Sequence, residues 1–288
     1  MRTFSIAEVE QFTKIKAHTL RTWEQRFEIF KSQRKANGVR IYTLEELSYL
    51  LDFALLNRLG SKVSVLAKLD KQSIREKVLQ LQDDSCRQEF AINQLIIQAY
   101  TLNIEDFELL LDGAVAAWGI EQTIEQIIFP FLERLDLFSY NRRTSGDYHF
   151  VVTALRKKII LAIEGAKPQK LLAKSALLFL PKDEHFDLFL LYMNYKLRTA
   201  GLNVLYLGTN VSADNLKVIL QAKQPQFLLT YQSTLSSRYK PDFEAYLKAI
   251  GYEARLFVGT PPSLLVKASL LRLKYILYHQ VDTELLAC

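Results

Sequence analysis

The spacing of apolar residues changes along the chain, and the changes divide it into three stretches. In the first, Ile6, Val9 and Phe12 step by three and Ala17, Leu20, Trp23 and Phe27 by three and four, which predicts two short helices separated by a turn at Thr13 and Lys14. The second helix, AHTLRTWEQRF over 17–27, sets Thr19, Arg21, Thr22, Gln25 and Arg26 opposite its apolar side. Ser5-Ile-Ala-Glu8 and Thr43-Leu-Glu-Glu46 are capping boxes, each with an apolar staple, Phe4 onto Val9 and Tyr42 with Leu47. Between them, Asn37-Gly38 in FKSQRKANGVRIYT tolerates positive φ at both residues, which predicts a type I′ hairpin, a wing. A third helix with a single stripe of Leu47, Leu50, Leu51, Ala54 and Leu55 ends at Gly60, and Val63, Leu66 and Ala67 suggest a short fourth.

Helical spacing without strand alternation continues over 71–166, as in EDFELLLDGAVAAW and EQTIEQIIFPFLERL, and breaks only around SYNRRTSGD. This predicts a small bundle, with Pro130 kinking or dividing one helix. After Lys167-Pro168 the rhythm alternates. SALLFL, NVLYLG, FLLTY and ARLFVG are short apolar strands separated by amphipathic helices: one from about His185 to Ala200 closed by Gly201, one beginning near Ser212, and one closed by Gly251. The predicted architecture is therefore multidomain, mainly α plus α/β: a winged helix-turn-helix over 1–70, a helical bundle over 71–168, and a Rossmann-like, doubly wound parallel sheet over 169–288.

Charge sharpens the reading of the first segment. Between Met1 and Arg75 there are 14 Lys and Arg against 8 Asp and Glu, an excess that equals the +6 of the whole 288-residue chain. A short nucleic-acid-binding module on a neutral body has this distribution. In a helix-turn-helix with a wing, the second helix can enter the DNA major groove. Arg21 and Arg26 then reach bases or phosphates, and Arg34, Lys35 and Arg40 of the wing reach the flanking backbone. With 49% hydrophobic residues the chain can bury a sizeable core. Cys86 and Cys288 match no zinc or redox spacing, the amino end lacks the apolar core of a signal peptide, and no uncharged apolar run reaches ~18 residues, so a cytoplasmic protein without membrane association is expected.

The stretches FSIAEVEQF, IKAHTLRTWEQRF, GVRIYTLEELSYLLDFALLNRLG and VSVLAKL, nearly all of residues 4–69, resemble the MerR family of bacterial transcription regulators. The resemblance implies a winged-helix domain that binds an inverted-repeat operator in double-stranded DNA as a homodimer, in many members by bending and untwisting the promoter, with RNA polymerase there as a further partner. Carried over by position, Arg21 and Thr19 fall on the recognition helix and Arg40 and Tyr42 occupy the wing's Arg-x-Tyr pattern; with Lys16, Thr22, Arg26, Arg34 and Lys35 from the charge and face reading they make up the candidate DNA-binding set. Trp23 stands where the family often has an aromatic residue, which gives two alternative readings, contact with the DNA backbone or packing in the core, the second at least as well supported.

The order of winged helix, bundle and Rossmann-like module is similar to the cobalamin-dependent, light-sensing branch of that family. There, Asp/Glu-x-His-x-x-Gly supplies the cobalt ligand and an acid that orients it. Here Asp183-Glu-His185-Phe-Asp-Leu188 keeps the acid and the imidazole but puts Leu188 in place of the glycine. The later Gly-Gly pair reads Gly259-Thr260, and the bundle's Trp and Glu-His pattern reduces to Ser139, Tyr148 and His149. The carried-over cofactor set is Asp183, His185, Gly259 and His149, with His185 as the cobalt ligand. Because the motif is degenerate, the expectation is that no cobalamin is firmly bound. The alternative is an adenosylcobalamin-dependent, light- or cofactor-responsive regulator.

Enzymatic activity is not expected, since the sequence contains no nucleophile with base and orienter and no glycine-rich phosphate loop of the required spacing. A corrinoid methyltransferase or mutase subunit would account for the last segment but not for the capped, basic first one. A protein-interaction scaffold whose winged domain binds no DNA is a third class. The expected state is a homodimer or tetramer associated with the bacterial nucleoid.

Overall fold

The computed structural model describes residues 2–30, 32–34, 38–135, 146–168, 170–181, 184, 186–231, 255–259 and 274–276. The chain divides into two compact units, Met1–Leu137 and Phe138–Cys288. Together they combine helices with a parallel sheet, so the fold is multidomain α plus α/β.

In the first unit, β1 (Thr3–Ser5) leads into α1 (Ile6–Thr13), and α2 (Ala17–Phe27) follows after Lys14, whose left-handed backbone reverses the chain. β2 (Gln33–Arg34) and β3 (Arg40–Thr43) form the base of the wing. β3 also pairs antiparallel with β1, matching Phe4 to Tyr42, so the sheet has three strands in the order β1-β3-β2. A three-residue strand is too short to carry a period, and β1 was therefore not foreseen. The two predicted capping boxes are present, Ser5 with Glu8 and Thr43 with Glu46. Of the expected Asn37-Gly38 turn, Asn37 lies outside the described residues, as does Lys35; Gly38 has φ +77°, as a turn of this kind requires.

α3 (Leu44–Arg58) departs from the expected single stripe. Leu47 and Tyr49 to Leu56 are all buried, because α1 covers one side while α5 (Lys71–Leu79) and α6 (Asp84–Thr101) cover another. The short α4 (Val63–Leu66) lies between α3 and α5. α7 (Ile104–Thr123) bends at Gly119, where φ +78° and ψ 163° break the helical run. A π-helical turn over Ile124–Ile128 then precedes α8 (Phe129–Arg134), which has Pro130 in its first turn. The division expected at Pro130 thus takes the form of a widened turn just ahead of it, which relieves the clash of the proline ring with the preceding carbonyls.

In the second unit, α9 (Gly146–Gly165) packs on α10 (Leu188–Thr199). The sheet comprises β4 (Ser175–Pro181), β5 (Asn203–Val211), β6 (Phe227–Tyr231), β7 (Arg255–Gly259) and β8 (Lys274–Ile276), all parallel, in the order β5-β4-β6-β7-β8. Counted along the chain this is the 2-1-3-4-5 order, whose crevice opens at the carboxyl ends of β4 and β6. α11 (Ala213–Lys223), capped by Ser212, closes one face over Leu177, Phe179 and Leu228 through Leu216 and Leu220. The helix expected to close at Gly251 lies outside the described residues. No helix among the described residues is long and apolar enough to cross a membrane.

Candidate nucleic-acid interface and sheet crevice

The recognition helix α2 is held by its apolar side and by one carboxylate. Leu20 and Trp23 are buried, and the Trp23 ring lies 5.4 Å from that of Phe53 on α3, so Trp23 belongs to the core. α2 has no cap from its own side chains. Instead Glu10 of α1 accepts the Ala17 backbone N–H at 3.0 Å and pairs with Lys16 at 3.1 Å. On the far side Glu24 accepts from the backbone N–H and hydroxyl of Ser32 and from Arg40 Nε at 2.7 Å. Burial alone would raise the Glu24 pKa, but these donors outweigh it and hold the carboxyl below its ordinary value.

The predicted DNA-contact residues fall into distinct groups. Arg21, Thr22 and Arg26 are exposed on the outer side of α2, with the Arg26 guanidinium 5.4 Å from the centre of the Phe27 ring, and Arg34 is exposed on β2. Thr19 is half-buried, and the Lys16 ammonium is exposed beside Glu10. Arg40 is only 19% exposed and committed to Glu24, so it fastens the wing to α2. Tyr42 requires a correction. It is 0% exposed with its ring 5.6 Å from that of Phe30, so it packs the wing onto the core and is not placed to touch DNA. Burial, with the Glu24 charge nearby, pushes its phenol up to about 12. His18 and Gln25 are exposed on the same outer side and were absent from the predicted set, although their spacing of four and three from Thr22 marks them as its neighbours.

Behind this face the winged helix is tied to α6 and α8. Glu89 of α6 receives Arg134 at 2.6 Å and also Arg58, at the end of α3. Arg134 further donates to Asn93 at 3.0 Å, and its carbonyl accepts from the Gln11 side chain of α1 at 2.7 Å. Burial pushes the Glu89 carboxyl up, yet Arg134 and Arg58 together hold it below the ordinary value. Tyr100 of α6 completes an aromatic cluster with Phe4 and Phe12, and the Arg2 guanidinium lies 3.9 Å from its ring centre.

At the sheet crevice, Asp183 and His185 lie outside the described residues. Gly259 ends β7, paired in register with Tyr231 and Ile276, and His149 is exposed on α9 with its ring edge-on to Tyr148. Leu188 opens α10 three residues later than expected and is 0% exposed. The preceding Asp187 does not cap the helix, because Arg156 of α9 takes its carboxylate in a two-pronged contact at 2.8 and 3.0 Å. Phe186 and Phe189 lie 5.6 and 5.1 Å from the Tyr231 ring at the end of β6. Burial and the Asp187 charge raise the pKa of Tyr206, whose buried hydroxyl has no hydrogen-bond partner among the described residues. No cluster of His, Cys, Asp and Glu suited to a metal ion occurs among the described residues, and Cys86 is buried and unbridged.

Comparison with known proteins agrees with the two halves of this picture. The family model described as MerR HTH family regulatory protein matches residues 4–72. The HTH-type transcriptional repressor CarH of Myxococcus xanthus is 24% identical over 250 residues, covering 84% of this chain and 82% of its own length. The HTH-type transcriptional repressor CarA of the same organism is 22% identical over 216 residues, covering 73% and 70%. Among solved structures, the monomethylamine corrinoid protein of Methanosarcina barkeri aligns with a TM-score of 0.50 at 14% identity, over 63% of this chain and 89% of that one. That likeness is one of fold.

Proposed function

We propose that the chain is a sequence-specific, DNA-binding transcription regulator of the MerR type. It acts as a homo-oligomer in the bacterial cytoplasm on an inverted-repeat operator and is not an enzyme. The observation that carries this reading is the outer side of α2, where Arg21 and Arg26 stand exposed next to the Arg34 wing strand, inside the segment that matches the family model. Two copies of α2 in a dimer occupy two half-sites, and the wings grip the adjoining backbone. The three segments 1–70, 71–168 and 169–288 then serve as reader, spacer and sensory or assembly module. A gel-shift titration tests the reading: affinity should fall steeply with salt. Arg21→Ala should weaken operator binding by ~1–3 kcal/mol if Arg21 reads a base edge, and an unchanged footprint would reject that role.

The alternative adds adenosylcobalamin as effector, supported by the fold shared with a corrinoid protein. We read the described crevice residues as unsuited to that cofactor. A fully buried leucine stands where the resembling motif has glycine, and the Phe186 and Phe189 rings pack on Tyr231 at the end of β6, which makes this part of the crevice apolar and filled. The sensory domain is therefore read as degenerate and independent of cobalamin. Protein incubated with adenosylcobalamin in the dark and passed through gel filtration should emerge without a corrinoid visible spectrum. Stoichiometric retention that is lost in His185→Ala would reverse this conclusion.

A further inference from the structure

The outer side of α2 carries readers as well as anchors. His18, Arg21, Thr22 and Gln25 follow one another at spacings of three, one and three, all exposed, along one side of the helix. Thr22 Oγ1 donates to the His18 carbonyl at 3.0 Å, so its hydroxyl proton is committed to the helix and the methyl remains the group it can offer outward. The Arg21 fork and the Gln25 amide make no hydrogen bond among the described residues, whereas the neighbouring cations are already placed against protein groups: Lys16 on Glu10, Arg26 over Phe27 and Arg40 on Glu24. Each of the three outward groups matches one base edge in the major groove. A guanidinium fork pairs with guanine O6 and N7, a carboxamide pairs with adenine N6 and N7, and a methyl packs on the C5-methyl of thymine.

Resting on the DNA-binding reading above, we propose that Thr22 and Gln25 are specificity-determining residues, Thr22 through methyl contact with a thymine and Gln25 through a two-bond contact with an adenine, beside a guanine held by Arg21. The three helical steps from Thr22 to Gln25 rise about 4.5 Å, a little more than one base-pair step, so the two bases are neighbours or next neighbours in the half-site.

The test begins with selection of duplexes from a random-sequence pool by the purified full-length protein. In the selected half-site each thymine is then replaced by deoxyuridine, which removes only the C5-methyl, and binding is followed by fluorescence anisotropy. One such replacement should weaken the wild type about fourfold, as expected for one buried methyl group, and leave Thr22→Ser unaffected, since serine keeps the hydroxyl and lacks the methyl. Gln25→Ala should lose about tenfold in preference for a single adenine while retaining affinity for duplexes altered there. A replacement series without effect at any thymine, or a Thr22→Ser protein as sensitive as wild type, overturns the Thr22 assignment, and an unchanged adenine preference in Gln25→Ala overturns the other. Failure to enrich any duplex overturns the inference together with the reading beneath it, and is thereby told apart from these outcomes.

Discussion

Asp52 sits in an environment that opposes its charge. It is buried in α3, one carboxylate oxygen meets Arg75 at 2.9 Å, and the other has no partner among the described residues. Burial raises its pKa to about 6 from 3.8 despite Arg75. The folded state therefore holds this proton more tightly than the unfolded chain, and the Asp52 contribution to stability grows as pH falls from about 6 to 3.8. Glu89, held below its ordinary 4.5, contributes with the opposite sign: its stabilisation is present above 4.5 and is lost as the solution is acidified through its lower folded value. Denaturant unfolding of wild type and Asp52→Asn, compared at pH 7 and pH 4, isolates the first effect. The difference should move in favour of wild type by up to about 3 kcal/mol on acidification, and a pH-independent difference would refute it. None of this was legible in the sequence, because an aspartate on a helix reads as solvated unless the element covering that side is known. Tyr42 was misjudged for the same reason. The Arg-x-Tyr pattern gives its neighbour in the chain but not the Phe30 ring against it.

At the scale of elements the local signals held where they were chemical. α2 runs from Ala17 to Phe27, the span read from its periodicity, and both capping boxes close in both directions, with Ser5 and Thr43 accepting from the backbone of Glu8 and Glu46 while those side chains reach back. Thr43→Ala should lower the stability of the first unit by about 1 kcal/mol and Ser5→Ala by a similar amount, measured by urea unfolding, whereas a change of a few tenths would mean that water replaces the cap. The signals failed where a tertiary partner decides. α10 was expected to begin near His185, but Arg156 from another helix draws off the Asp187 carboxylate and α10 begins at Leu188. A partner 31 residues away leaves no trace in the local pattern.

The whole chain combines one feature that composition revealed with one that it did not. The excess positive charge was visible in the first quarter without any structure. That α5 to α8 share a compact unit with the winged helix was not, since the contacts that unite them, Arg58 and Arg134 on Glu89, Gln11 on the Arg134 carbonyl, and Tyr100 against Phe4 and Phe12, lie far apart in sequence. The apolar residues of α3 outside its stripe, Tyr49, Phe53 and Leu56, were the overlooked hint. A fragment of residues 1–137 should accordingly unfold cooperatively in urea, whereas one of residues 1–70, with those aromatic rings uncovered and Arg58 without its carboxylate, should melt at a markedly lower denaturant midpoint or not fold; equal midpoints would deny α5 to α8 any stabilising part. The brace that Glu24 makes to Ser32 and Arg40 joins the base of the wing to α2 much as the two jaws of a caliper share one frame. Where the groove-to-backbone distance of an operator differs from that fixed gap, the mismatch falls on the duplex, and promoters with pliant steps beneath the wing are favoured even when every contacted base is the same.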